Sequence, residues 1–405
     1  MWLSSWARAR QRDLRPDLRK AIMMTVSHWQ KTEQTHREVD FLVVGAGLVG
    51  SAAACFARHA HDRDVVVTDA RDLGLGASGR NAGFMISGLD IYYHRAIEEY
   101  GHDAARELWS LSNRSMELWR QFIRDSPFDV PIDNSGSMLL AESEEEAQEL
   151  ALAAAALSAD KIAIEYYSKD PLQRGFYAGI EQPLDAGVQP YLLAKSVMTQ
   201  SGAELIPNNE LYRIEQNDDD SVQVYTRQFI FTARYVLLCT NAWSPTIDPF
   251  FVGKVIPTRA QCLVTEPLDH VPVPYCGYSD YGYMYYRSTF DGRFLLGGGR
   301  QHYKCEEDNT TEDRLNPNVQ AFLDRYLARY FPDVTAPVAH RWSGIMGFSV
   351  DGLPLVGILP GKSRVGCAVG FTGHGLAMGA ASAERAVDKL LNRVSAGAVD
   401  IARFT

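Results

Sequence analysis

Short uninterrupted apolar runs alternate along this chain with stretches of helical spacing, and together they predict most of its elements. Residues 41–44 (Phe-Leu-Val-Val) and 235–239 (Tyr-Val-Leu-Leu-Cys) are continuously apolar and of strand length, as expected of strands covered on both faces in a parallel sheet. Residues 64–68, 204–206, 212–216, 222–226, 230–233 and 365–369 also read as strands. Between residues 93 and 124, Ala96, Tyr100, Leu108, Leu111, Leu118 and Phe122 recur at helical spacing, predicting one long helix or two shorter ones. Ser143 with Glu146 forms a capping-box pattern ahead of an alanine-rich helix ending near Ala159. Further helices are expected between Gly187 and Gly202 and over residues 377–391. Residues 260–265, 281–287 and 293–298, punctuated by Asp291-Gly292, predict an antiparallel layer.

Chemistry enters at the turns. Gly45, Gly47 and Gly50 follow the first strand at the G-x-G-x-x-G spacing and open a helix. The first glycine permits the tight turn, the second lets backbone approach a pyrophosphate, and the third lets helix pack on strand. Asp69 and Ala70 end the second strand, where a carboxylate can accept hydrogen bonds from a ribose diol. Residues 74–83 are too glycine-rich for a helix and too long for a simple turn, so they form a loop of the kind shaped around ligands. Asn241 and Trp243 follow the strand at 235–239, on the sheet edge where ligands sit in α/β folds. Residues 365–391 repeat the strand, glycine turn and helix plan, aiming a second helix N-terminus at an anionic or carbonyl-bearing group.

Composition narrows the class. At 405 residues the chain should form two domains or one with a large insertion. A formal net charge of −10 opposes an extended nucleic-acid surface, and no run of about twenty apolar residues predicts a membrane span. Cys55, Cys239, Cys262, Cys276, Cys305 and Cys367 lack metal-ligand spacing, so reduced thiols in a cytoplasmic setting are expected. Asp218, Asp219 and Asp220 read as an exposed hairpin tip, and no metal site is expected. The basic N-terminal stretch, with later methionines at Met23 and Met24, reads as a disordered or artefactual extension.

Four ordered motifs resemble the D-amino acid oxidase superfamily of flavoproteins, in its glycine oxidase, sarcosine oxidase and gamma-glutamylputrescine oxidase branches: Gly45 to Gly50, Gly76 to Asn81, Asp351 to Pro354 with Gly357, and Gly370 to Gly375. The resemblance implies an α/β architecture: a Rossmann-like FAD-binding domain with a parallel sheet, plus an α+β cap domain with a mainly antiparallel sheet. The division it implies is an extension over 1–37, an FAD-binding domain over 38–90 with 186–250 and 341–405, and a substrate domain over 91–185 with 251–340. It also implies Ser78, Arg80, Asn81 and Ala82 beside the pyrophosphate and flavin. Gly373, His374, Gly375, Leu376 and Ala377 would lie at the flavin carbonyl edge, with Asn241 and Trp243 closing the adenine side. Expected substrate contacts are Phe84, Met85, Tyr283, Tyr285, Tyr286, Met346 and Phe371.

The departures from the family pattern matter as much. Where glycine oxidase-like proteins carry a carboxylate-binding arginine in a W-x-G-x-R-P stretch, residues 342–347 place Met346, and a thioether cannot pair with a carboxylate. No cysteine falls where the sarcosine oxidase branch attaches its flavin, so the FAD is expected to be non-covalent. The lysine of that branch falls near Leu295, which leaves oxygen or another electron acceptor open. The leading expectation is oxidation of the C–N bond of a small-molecule primary or secondary amine by hydride transfer to the flavin. The alternative is an α-amino or imino acid, with Arg287 or Arg300 as a relocated clamp. An NAD-dependent dehydrogenase or a flavin-binding subunit of a larger complex are further readings, and a homo-oligomer is compatible with all of them.

Overall fold

The structure, a computed structural model, describes residues 34–405 together with Ser27 and Trp29; most of the basic N-terminal stretch, with Met23 and Met24, lies outside the described residues. The first strand, Thr35–Val44, already begins within the span assigned from sequence to the extension. It pairs in parallel with Val65–Thr68 on one side and Phe229–Leu238 on the other, so Phe41 lies opposite both Val65 and Tyr235. Glu204–Ile206 extends the sheet beyond Val65–Thr68, while Val365–Val369 joins the carboxyl half of Phe229–Leu238 in parallel. An antiparallel meander, Leu211–Gln216 with Val222–Thr226, completes the other edge. Its tip holds the three aspartates, and no metal-binding cluster occurs among the described residues.

Strand alternation sorts this sheet into two cores. Phe41, Val43, Val65, Val67, Tyr235 and Leu237 face helices Leu48–His59, His102–Arg124, Pro190–Ser201 and Gly375–Asn392. Leu42, Val44, Val66, Val236 and Leu238 face the other way, toward Phe251, Leu355 and Ile401. The segments 230–233 and 235–239, read separately from sequence, are one strand. Its first half alternates around exposed Arg234, and only its second half is covered on both faces.

The second sheet runs in the order Val338–Ser349, Val255–Thr265, Phe294–Gly297, Met284–Ser288, Cys276–Ser279, Ser137–Leu140, Gly179–Gln182, Glu165–Tyr167. All its pairs are antiparallel except Cys276–Ser279 with Ser137–Leu140. One face, with Leu263, Met284, Tyr286, Phe294 and Leu296, packs on helix Pro317–Tyr330. The other face carries Cys262, Tyr278 and Tyr285.

Glycine and turn chemistry account for where sequence reading misplaced boundaries. The helical stretch at 93–124 breaks into Tyr93–Tyr100 and His102–Arg124 because Gly101 takes φ +85°. The strand expected at 281–287 begins only at Met284, since Asp280, Tyr281 and Gly282 all have positive φ and form a turn. At Ser143 the hydroxyl accepts from the Glu146 amide at 3.1 Å as expected. The Glu146 carboxylate, however, accepts from the amide of Glu142 and the hydroxyl of Tyr92.

Candidate active site

The N-terminal turn leaves no room for side chains. A Cβ on Gly45, whose φ is +111°, would lie 2.6 Å from the Cys239 carbonyl oxygen, and one on Gly50 would lie 1.8 Å from that of Gly45. One on Gly47 would meet the Ser78 hydroxyl at 2.6 Å. That hydroxyl accepts from the Leu48 amide at 2.9 Å, capping the first turn of the helix from the 74–83 loop. Asp69 braces the same turn: its carboxylate accepts from the Ala46 and Arg71 amides, each at 2.8 Å.

The C-terminal turn is built with equal economy. Gly370, Thr372 and Gly373 all have positive φ. The Gly370 amide donates at 3.0 Å to the side-chain oxygen of Asn241, itself at φ +41°. Trp119 of the long helix donates its indole N–H to the Leu376 carbonyl at 2.7 Å, fixing the start of helix Gly375–Asn392. His374 is drawn to the Thr372 carbonyl through Nδ1 at 3.3 Å; burial, reinforced by nearby Arg300, holds it below the usual imidazole range.

Both turns open on one cavity of about 1420 Å³, lined by Gly47 and Ser78 from the first and by Gly373 to Leu376 from the second. Arg80, Asn81, Ala82, Phe84, Asn241, Tyr283, Tyr285, Met346 and Phe371 line it too. The remaining expected residues do not. Gly45 and Gly50 are packed against backbone within the turn itself, Asp69 braces it, Ala70 is exposed, and Trp243 stacks under Arg71, 5.5 Å from the ring centroid. Ala377 is buried in the helical core. Met85 and Tyr286 are corrections: each neighbours a lining residue, Phe84 or Tyr285, and in a strand adjacent side chains take opposite faces. Both are 0% exposed, inside the cores.

Other expectations shift in detail. Arg80 pairs with Asp313 at 2.6 Å and donates to the Ser343 carbonyl at 2.9 Å, so it clamps the loop to the antiparallel sheet. Arg287 is buried against the Gly83 carbonyl and does not line the cavity, whereas Arg300 does. Sequence reading missed Phe348, Tyr278 and Cys262 as lining residues. The available signal was the every-second-residue phase of Gly344, Met346 and Phe348 along one strand.

The residues present fit a flavin dinucleotide. The Gly47 position admits close backbone approach that a Cβ would obstruct, and two helix N-termini line the same cavity, one suited to phosphate and the other to a polar ring edge. Such a fold and site define a flavin-dependent oxidoreductase.

The family follows from comparison. Residues 40–389 match the family model described as FAD dependent oxidoreductase, and the chain belongs to that family; FAD is its cofactor. Gamma-glutamylputrescine oxidoreductase of Escherichia coli (strain K12) is 26% identical over 361 residues, covering 83% of this chain and 80% of that protein. Glycine oxidase of Bacillus subtilis (strain 168) is 22% identical over 373 residues, covering 88% and 94%. The crystal structure of glycine oxidase from Geobacillus kaustophilus superposes with TM-score 0.76 at 21% identity, over 91% of this chain and 98% of that one. That of L-proline dehydrogenase from P. horikoshii gives 0.75 at 19% identity, over the same shares. At such identities the structural likeness is one of fold.

Proposed function

We propose that this protein oxidises the C–N bond of a primary or secondary amine to an imine. The observation that carries the reading is the aromatic and thioether lining of the cavity by Tyr283, Tyr285, Met346, Phe348 and Phe371, with Met346 and Phe348 beside Gly373. When bound, FAD supplies a two-electron acceptor for the hydride on the carbon beside the amine nitrogen. The chain's part is positioning and exclusion of water. Aromatic and thioether side chains orient the substrate's carbon skeleton, and Tyr285, whose hydroxyl lies 3.6 Å from the Cys262 sulfur, keeps its proton because burial pushes its hydroxyl well above the usual phenol range. His374, held neutral, adds no charge of its own. The positive end of helix Gly375–Asn392 and the Arg300 guanidinium disfavour an ammonium, so the amine is held in its neutral, reactive form. No acid–base dyad is required.

The names of the amine- and amino-acid-oxidising relatives support the same chemistry. The experiment is anaerobic mixing of the yellow holoprotein with a panel of amines and amino acids, following the visible absorbance. Rapid bleaching by members of the panel is expected; a protein that binds FAD but is bleached by none of them would overturn the proposal. A second reading, an amino or imino acid as substrate, is favoured by one observation, the presence of Arg300 in the cavity wall.

A further inference from the structure

Gln182 ends a strand of the antiparallel sheet and lines the cavity. Strand Gly179–Gln182 turns through Pro183 and Leu184 into strand Ala186–Val188, and the Asp185 amide donates to the Gln182 carbonyl at 3.3 Å. Proline suits the second position of such a turn, and the turn brings its first and fourth residues together. Asp185 therefore lies beside the Gln182 side chain, and both are buried, at 1% and 6% exposure.

The hydrogen bonds fix which way the Gln182 amide points. Burial raises the Asp185 carboxyl only to about 6, so at neutral pH it is ionised and purely an acceptor. It accepts from the Ser87 amide at 2.9 Å, from the Ser137 hydroxyl at 2.6 Å and from Gln182 Nε2 at 2.6 Å. The same Nε2 donates to the Ser87 carbonyl at 3.3 Å. Turning the amide over would set oxygen against oxygen at both contacts, so Nε2 faces inward. The amide oxygen Oε1 is left over, and it takes no hydrogen bond from any of the described residues. On a side chain of the cavity wall whose own donors are spent, this atom can only accept.

Register places it on the face that carries the aromatic lining. Gln182 lies opposite Ser137, Ser137 opposite Cys276, and Tyr278, two residues further along, opposite Tyr285. Opposed residues share a face, and so do residues two apart. Three strand spacings separate Gln182 from Tyr285, about 14 Å along the sheet. Phe84 packs edge-on against Tyr278 and Tyr285, with ring centroids 4.9 and 6.3 Å away, so the stretch between is aromatic. We propose that Gln182 is a specificity-determining residue that accepts a hydrogen bond from the far end of an elongated substrate, an amine whose carbon chain carries a hydroxyl or N–H well away from the reacting nitrogen. The inference rests on the amine-oxidation reading and names the substrate class at that same site. Asp185 is a positioning residue that acts through Gln182. No bond to the protein forms or breaks, and a group that only accepts, such as an ether, meets a lone pair at Oε1.

The test mixes the holoprotein anaerobically with linear primary amines of about four to ten carbons, a span set by the strand spacing, each length ending in a hydroxyl, a methoxy or a methyl group. The concentration that half-saturates flavin bleaching is read for each. At one or more lengths the hydroxyl-ended amine is expected to half-saturate at about tenfold lower concentration than the methoxy-ended one. Q182M, similar in size but without the oxygen, is expected to bring the two within about twofold. D185N gives Oε1 a donor of its own and lets the amide turn over, so the methoxy-ended amine is expected to gain on the hydroxyl-ended one. A side chain that served packing alone would shift both amines equally. If Q182M fails to retain flavin, D185N decides. No preference at any length in the wild type, an unchanged preference in the variants with flavin retained, or bleaching by other amines but by none of this series would overturn the inference while leaving amine oxidation standing. A holoprotein bleached by no amine of any kind would overturn both.

Discussion

At the scale of single residues, the site depends on atoms that are missing. Gly50 has no Cβ because one would sit 1.8 Å from a backbone oxygen that cannot swing aside. Gly50→Ala is expected to destabilise the protein by about 3 kcal/mol, read from urea unfolding of the holoprotein. Gly47→Ala meets a movable hydroxyl instead, and is expected to keep the fold while weakening FAD binding about tenfold, measured by flavin fluorescence titration. Asp185 offers a test by pH. It is buried, accepting from the Ser87 amide and the Ser137 hydroxyl, and burial pushes its carboxyl up to about 6. The folded state therefore binds this proton more tightly than the unfolded chain, whose aspartate titrates near about 4. Its stabilisation is complete below the unfolded value and is lost as pH rises through the folded one. Between about pH 4 and 6, wild type is expected to lose stability relative to D185N, checked by unfolding at a series of pH values.

At the scale of elements, the antiparallel sheet is tied to its outer segments by a buried ion pair. Arg259 of Val255–Thr265 grips Glu307 through Nε and Nη2, each at 2.9 Å, and Gln261 and Asn316 donate to the same carboxylate. Burial works against the charge, but these donors outweigh it and hold Glu307 below the usual carboxylate range. Glu307→Gln leaves a buried arginine without its counter-charge, and a loss of about 3–5 kcal/mol is expected in thermal or urea unfolding. Much of this level was legible beforehand. The apolar runs at 41–44 and 235–239, the glycine turns and the Ser143 cap all express local rules that a sequence displays directly. What was not legible is phase. In the run Tyr283-Met284-Tyr285-Tyr286 the apolar character is nearly uniform, so the sequence does not say which side chains face the cavity. The positive φ values at 280–282 set the phase, putting Tyr283 and Tyr285 on the site and Tyr286 in the core. The Arg259–Glu307 pair was invisible for a related reason, because it joins residues that only the folded sheet brings together.

At the scale of the whole molecule, the arrangement bears on where the electrons go next. None of the described residues lining the cavity is a lysine, and Leu295 is buried within its strand. Reduced protein is expected to be reoxidised more slowly by dissolved oxygen than by a soluble quinone, a comparison made by stopped-flow absorbance after anaerobic reduction. The convergence of the two glycine turns on one cavity carries a further consequence for biosynthesis. Because the turn at Gly45 to Gly50 is translated long before the turn at Gly370 to Gly375, a ribosome-bound chain has no complete pocket until the later turn emerges. Cofactor capture then becomes a late event, and chains truncated before residue 373 should leave the ribosome colourless however well their first sheet has formed.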